Sequence, residues 1–582
     1  MKSFLKNILT TIIGIISSII VMILLIIGFV AIISSEDEVK VKENSILKID
    51  LANTSVVERS SENPFDGLSL SGDVASTIEL KQVLDNIEKA KLDDNIKAIY
   101  INTSYVSAGI SQIEEIRNKL LEFKQTGKPI IAYSEVYNQA AYYLSSVANK
   151  VYLNPEGVVE LKGLSAGIMF YKGLLEKLDI EVQIIRHGKF KSAVEPFMLD
   201  KMSDANREQM QLLLNSFADN LFDSIASQRG MTLSDIHNHA NNLSLENAKS
   251  CLDLHYVDAL LYQDQVDDSL LVISKSEKLN FISLNKYSNV KVEKKEISRN
   301  KIAIIYATGE INSGEGDEKS IGSETTAKAI KTAREDKNVK AIVLRVNSPG
   351  GSALASDVIW RETVLAKEEK PLIVSMGDYA ASGGYYIACA ADSIVANPTT
   401  LTGSIGVFGM IPNLQKLYKN KLGISIDTVN TNKHADMGMN RALTKFEEDK
   451  IQKSVVDIYT TFITHVGEGR NMSTTAVDEI GQGRVWTGYD AKDIGLIDTY
   501  GGLEKAIEIA VYLAEIEDYR IISLPKKKDP FAELALKFGG ETSISDLVML
   551  KLGLKTELTN PIENLLKRDK IQARIPFIME LK

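Results

Sequence analysis

The chain is poor in the features that would fix its class at a glance. Two cysteines, Cys251 and Cys389, are too few for a disulfide framework or a four-thiolate zinc site, although one bridge stays possible. Only 12 prolines, with 44% hydrophobic and 25% charged residues, exclude a fibre or wholesale disorder. Positive charge is in deficit: 67 Lys and Arg face 77 Asp and Glu, a net charge of −10. A chain without a basic surplus is poorly suited to grip a phosphate backbone, which argues against nucleic acid as partner. Neither a Walker loop nor a His-Glu-x-x-His motif occurs, so no nucleotide, metal or other cofactor is expected.

Long hydrophobic runs are equally scarce, with one exception. Residues 8–33 carry no charge. At ~1.5 Å per residue a helix of this length crosses the ~30 Å hydrocarbon layer with some tilt. The run exceeds the ~7–15 apolar residues of a cleavable signal, and it ends in Ile32-Ile33-Ser34-Ser35 rather than an Ala-x-Ala site. A retained single-pass anchor is the expectation. Lys2 and Lys6 precede it and Glu36, Asp37 and Glu38 follow. The positive-inside rule then leaves residues 1–7 in the cytoplasm and puts the rest on the outer, periplasmic face of the inner membrane.

What remains is present twice. Asp93-Asp94-Asn95-Ile96-Lys97-Ala98-Ile99 returns as Asp336-Lys337-Asn338-Val339-Lys340-Ala341-Ile342, a displacement of 243 positions. Lys128-Pro129 returns as Lys370-Pro371, Asn154-Pro155 as Asn397-Pro398, and Ala248-Lys249 as Ala491-Lys492. A near-constant displacement over this span marks two homologous domains, about 45–290 and 300–510, joined by the charged stretch 291–300. The three or four units that the length implies at ~150 residues each thus become an anchor, two copies of one domain and a tail, 511–582.

Each copy alternates short β-rich runs with helical stretches. In the second copy strands are expected at 301–307, 339–346, 371–375 and 393–397, and helices at 323–335, 352–367 and 382–391. This pattern predicts an α/β domain with a mainly parallel sheet. Ligand sites in such domains lie at the carboxyl ends of strands, where turns meet helix N-termini.

Two such turns could do chemistry. Asn347-Ser348-Pro349-Gly350-Gly351 leads into a helix, and its paired glycines could turn backbone amides towards an oxyanion. Gly377-Asp378-Tyr379-Ala380-Ala381-Ser382-Gly383-Gly384-Tyr385-Tyr386 sets a serine among small residues at a helix start. Those are the surroundings of a nucleophile elbow, without its first glycine; the plain alternative is that Ser382 is an N-cap. The repeat discriminates. Gln139 stands opposite Ser382, and Ser107-Ala108 opposite Gly350-Gly351. Joint loss of both features from the first copy ties them to one site in the second.

A nucleophilic serine needs a base. Spacing singles out none of His187, His237, His239, His255, His434 and His465. A lysine serves only if desolvated, because at a free pKa of ~10.4 about one in 10³ is neutral near pH 7. Lys189 and Lys191 lie in one mildly basic run, and the residues alone do not choose between them. At the matching place the second copy has His434 or Ala435, so a lysine is present only in the first copy.

Phe190-Lys191-Ser192-Ala193-Val194-Glu195-Pro196-Phe197, the serine turn, Asn397-Pro398 and Thr402-Gly403-Ser404-Ile405-Gly406 together resemble signal peptide peptidase A, in the long duplicated form also called protease IV. The resemblance runs over residues 1–510. It implies tandem ClpP/crotonase-like domains and a membrane-anchored Ser/Lys protease that degrades cleaved signal peptides and other apolar peptides. Carried over by motif, Ser382 is the nucleophile, Lys191 the general base and acid, and Ser404 the hydroxyl that orients the lysine. Gly350, Gly351 and the Gly383 amide form the oxyanion hole.

Homology sets one further expectation. If each copy folds alike, Lys191 should sit by Gln139, its own copy's counterpart of Ser382. A working site then needs direct docking of the two domains, or the first domain of one chain meeting the second of another. The resemblance favours the latter, in a ring-like homo-oligomer (a tetramer). Two other classes remain open: a crotonase-like acyl-CoA hydratase or isomerase, and a non-catalytic membrane scaffold. The tail, with apolar runs at 531–538 and 547–554, is expected to lie on the membrane or to pack against the second domain.

Overall fold

The computed structural model describes residues 10–11, 13–15, 17–18, 21, 39–60, 76–290, 298–527 and 571–575. Most of the apolar run 8–33, most of the inter-copy stretch, and the tail runs 531–538 and 547–554 lie outside these. Among the described residues no helix is long and apolar enough to cross a membrane.

Two parallel sheets repeat one strand order. The first runs Ala259–Leu260, Lys150–Val159, Ile130–Tyr137, Ile96–Ile101, Ser45–Ile49, Asn280–Ser283. The second runs Thr499–Tyr500, Ser393–Ala396, Leu372–Ala381, Val339–Ser348, Lys301–Thr308, Arg520–Leu524. Its last strand lies beyond residue 510, where the sequence reading drew the domain's end. Apolar runs such as Ile342-Val343-Leu344 are buried on both faces, as a sheet covered by helices requires. Each copy has its own core, with Cys251 in the first and Cys389 in the second; both thiols are buried and free, so no bridge joins them.

The helices expected in the second copy are seen at Ser323–Glu335, Ala353–Glu369 and Gly383–Ala388. One boundary differs. The strand expected to stop at Ser375 continues to Ala381 as Leu372–Ala381, because its end finds a new partner: Tyr379, Ala380 and Ala381 pair with Leu401, Thr402 and Gly403. Ser382 therefore follows directly on a paired strand.

A third, mixed sheet joins the two copies. Its order is Ser320–Gly322, Glu310–Asn312, Gly350–Ser352, Ile571–Arg574, Phe408–Asn413, Glu181–Arg186. The last strand belongs to the first copy, yet pairs antiparallel over its whole length with Phe408–Asn413 of the second. After Val159 the chain leaves its own sheet and completes its neighbour's.

A buried polar network holds the copies together at a second place. Arg345, in the middle of an apolar strand, is fully buried and reaches Glu58 (2.8 Å) and Glu115 (2.7 Å) of the first copy. Glu115 also accepts the Leu503 amide (2.8 Å). The 15-residue helix Ile110–Lys124 points its N-terminus at Asp378, and the Ser111 amide donates to that carboxylate (2.9 Å). Glu114, on the same helix, accepts the Thr399 amide (3.3 Å). A buried guanidinium stripped of one carboxylate would cost about 3–5 kcal/mol, so this lattice constrains docking strongly.

Candidate active site

The crossing strand carries Lys191 into the second copy. Its Nζ lies 2.6 Å from Ser382 Oγ, 3.0 Å from Ser404 Oγ and 3.1 Å from Ser404 O. This corrects the expectation that Lys191 sits by Gln139; of the two arrangements left open, direct docking within one chain, not the favoured meeting of two chains, brings both residues together here. The expectation failed because it gave each copy's edge segment to its own sheet, whereas Glu181–Arg186 is exchanged. Gln139 remains in the first copy, where its amide oxygen binds the Lys162 and Gly163 backbone (3.2 and 3.1 Å).

Lys191 is completely buried. Burial alone holds its ammonium well below the ordinary lysine range, with no carboxylate among the causes. Lys189, the rival candidate, is exposed with its ammonium over the Phe190 ring. The lysine loop rests on Gln482-Gly483: Phe190 N donates to Gln482 O (3.0 Å). Gly483 has φ +84°, and a Cβ there would fall 2.7 Å from Lys191 N and Cα. Sequence reading missed Gly483, and its only signal was a glycine in Gln482-Gly483-Arg484.

Ser382 is not an N-cap, since its side chain caps no amide. It is held at φ 56°, ψ −113°, a conformation costly for a residue with a β-carbon, and its amide donates to Gly403 O (2.7 Å). The capping serine of this region is Ser352, which accepts the Ala355 amide (3.3 Å). Ser404 also has a positive φ, 49°, and its hydroxyl donates to Gly483 O (3.2 Å). That hydroxyl can therefore accept from Lys191. With the amine neutral, its two N–H bonds meet Ser404 Oγ and O, and its lone pair is left for the Ser382 hydroxyl.

The two turns meet. Gly350 has φ +98°, and a Cβ on it would lie 2.8 Å from the Gly383 amide nitrogen. Gly350 N donates to Ser348 Oγ (3.2 Å), and Gly351 faces Ala573 of the C-terminal strand. The sequence candidates Ser382, Lys191, Ser404, Gly350 and Gly383 thus converge on one buried site, while Gly351 lies next to it against Ile311. None of the six histidines makes a described contact with Ser382; His187, the one nearest in sequence to Lys191, lies tilted against the Tyr459 ring (centroids 4.2 Å apart).

The profile of peptidase family S49 matches residues 122–275 and 365–517, once in each copy. The chain belongs to peptidase family S49. Protease 4 of Salmonella typhi is 38% identical over 463 residues, spanning 78% of this chain and 74% of that protein. The chloroplastic serine protease SPPA of Arabidopsis thaliana is 35% identical over 515 residues, 87% of this chain and 75% of that one. A putative signal peptide peptidase SppA of Enterococcus faecium is 34% identical over 247 residues, 42% of this chain and 70% of that one. The chain is an S49 serine protease built of tandem α/β domains.

Proposed function

We propose that this S49 protease hydrolyses peptide bonds with a Ser382/Lys191 dyad, and that its substrates are cleaved signal peptides and other apolar peptides. The 2.6 Å approach of fully buried Lys191 to Ser382 carries the reading. Neutral Lys191 takes the hydroxyl proton while Ser382 Oγ attacks the scissile carbonyl. Lys191 then gives that proton to the leaving amine, and water releases the acyl group. The backbone at Gly350, Gly351 and Gly383 stabilises the oxyanion, at ~3 kcal/mol per donor in comparable sites. Ser404 keeps the amine aimed.

The apolar run 8–33 serves in this proposal as an inner-membrane anchor, with both domains on the periplasmic side, where cleaved signal peptides are within reach. Assembly into a ring-like homo-oligomer rests on an edge. Gly423-Ile424-Ser425-Ile426 repeats Asp179-Ile180-Glu181-Val182, but Ile424 and Ile426 are about half exposed and pair with no strand among the described residues. The residues aligned with Phe408–Asn413, around 164–170 of the first copy, also have no strand partner among the described residues. A second chain can join these edges as Glu181–Arg186 joins Phe408–Asn413.

The test is cleavage of signal-peptide sequences by detergent-solubilised protein. Turnover should vanish in Ser382→Ala and Lys191→Ala. Undiminished cleavage by either variant would overturn the dyad.

A further inference from the structure

The helix Asp204–Arg229 of the first copy and the edge strand Val485–Thr487 of the second flank a groove of about 570 Å³. Its floor continues towards the dyad. Leu213 and Val485 line the groove and also pack in one apolar cluster with Ala381, the residue before the nucleophile. Val485 pairs with Gly403 and Gly403 with Ala381, which puts the groove two strand spacings, ~10 Å, from the serine's strand. The lysine loop borders it too: the guanidinium of Arg484, a lining residue, lies over the Phe190 ring (5.0 Å) and the Trp486 ring (4.5 Å).

The walls are acidic. Asp219 and Asp223 line the groove from the helix, and Asp490 lines it from the strand side. Like charges four residues apart destabilise a helix, so the pair is kept against a local cost. His237 meets one oxygen of Asp219 (2.8 Å), and Asp490 accepts the Thr487 hydroxyl (2.6 Å). Neither Asp223 nor Arg484 has an ion pair among the described residues, so the groove's own cation does not neutralise its acids. The repeat shows that the fold does not require these carboxylates. The matching helix of the second copy, Lys445–Arg470, also has 26 residues and puts Thr460 and Thr464 where the first has Asp219 and Asp223. Asn247 stands in the first copy where the second has Asp490. The acids occur only on the two elements that face each other beside the dyad.

A buried donor adds a second, independent sign. Gln209 also lines the groove and is 1% exposed. Its side-chain oxygen accepts the Val485 amide (2.9 Å), while Nε2 has no hydrogen-bond partner among the described residues. Leaving such a donor unmade is costly, and a peptide carbonyl would satisfy it.

We propose that this groove is a substrate subsite for a lysine or arginine side chain, with Asp219, Asp223 and Asp490 as its counter-charges. The proposal rests on the dyad reading above and narrows its substrate class. At ~3.3 Å per extended residue, the enzyme prefers apolar peptides with a basic residue about three to six positions from the cleaved bond. Cleaved signal peptides have that make-up, a positively charged segment followed by an apolar run.

The test starts from an apolar peptide that the detergent-solubilised full chain cuts, with the cleaved bond located by mass spectrometry. Lysine or glutamine is then placed at each position from two to seven residues away on either side. At the best position kcat/KM for the lysine peptide should exceed that for the glutamine peptide about tenfold, mostly through KM, and the advantage should shrink as salt is raised. In the double variant Asp219→Asn/Asp223→Asn the ratio should fall to within about twofold of unity. In Asp223→Lys a glutamate peptide should overtake the lysine one. Both peptides are read on one chain, so a folding defect lowers both and leaves the ratio. A ratio near unity at every position in wild type, or a wild-type ratio retained in the double variant, would overturn the proposal and leave the dyad standing. Cleavage by Ser382→Ala at the wild-type rate would instead remove the dyad reading itself.

Discussion

Lys191 Nζ stands 2.6 Å from Ser382 Oγ although 191 positions separate the two residues and each belongs to a different copy of the repeat. Neither copy holds both, yet one chain does. The duplication supplied two scaffolds, and the exchange of Glu181–Arg186 into the second copy's mixed sheet turned two half-sites into one.

A site complete within one chain predicts the outcome of mixing. Chains carrying Ser382→Ala and chains carrying Lys191→Ala, co-expressed and shown to co-assemble, should have no more peptidase activity than either alone. Recovery towards a quarter or more of wild-type turnover would place the lysine and serine in trans.

The burial of Lys191 sets the pH profile. Its ammonium is destabilised, so the fraction of neutral base rises with pH through a midpoint well below the lysine value of 10.5. The logarithm of kcat/KM should climb with unit slope on the acid side and then level off. Lys191→Arg, which stays charged, should lose about 10³-fold or more in kcat.

In the proposed mechanism Ser404, whose Oγ and O lie 3.0 and 3.1 Å from Lys191 Nζ, is a positioning residue. Ser404→Ala should lower kcat about ten- to a hundredfold with KM nearly unchanged, and Ser404→Thr should restore part of it. An equal loss in Ser404→Thr and Ser404→Ala would point to the backbone turn rather than the hydroxyl.

Gly483 is the floor beneath the lysine loop. Gly483→Ala places a methyl group 2.7 Å from the Lys191 backbone at a φ of +84°. It should cost about 1–3 kcal/mol in chemical denaturation and reduce kcat more than it raises KM.

Glu114 makes domain docking pH-sensitive. Burial pushes its carboxyl up to about 7, against the hydrogen bonds from Thr399, from a reference of 4.5. Between these values the folded chain keeps a proton that the unfolded chain has released, so stability falls as pH rises through the window. Asp378, raised to about 6 chiefly by burial, acts in the same direction. Glu114→Gln can still accept the Thr399 bonds. It should flatten the decline in melting temperature between pH 5 and 8, which differential scanning calorimetry would read directly.

The physical reasons for what was legible are specific. Strands such as Val339–Ser348 announce themselves by an unbroken apolar run, and the displacement of about 243 aligns the central strands Ile96–Ile101, Ile130–Tyr137 and Lys150–Val159 with Val339–Ser348, Leu372–Ala381 and Ser393–Ala396, though not the strands outside them. Ser382 was legible through what the first copy lacks; the repeat pointed to a lysine in the first copy, and only the motif resemblance chose Lys191 over Lys189. The crossing of Glu181–Arg186 was not, because either copy's sheet edge satisfies its backbone equally well and only tertiary docking decides. Arg345 was overlooked although an arginine inside Ile342-Val343-Leu344-Arg345-Val346 can be buried only against acids elsewhere. The strand Ile571–Arg574 is too short for its periodicity to speak; its partners are fixed by an open edge 220 residues earlier.

The central claim is that Lys191 of the first copy activates Ser382 of the second. Fluorophosphonate labelling of the solubilised protein across pH, with the modified residue located by peptide mass spectrometry, tests it most directly. The label should fall on Ser382, at a rate that rises through one ionisation well below 10.5 and collapses in Lys191→Ala. Labelling elsewhere, or at the wild-type rate in Lys191→Ala, would contradict the account.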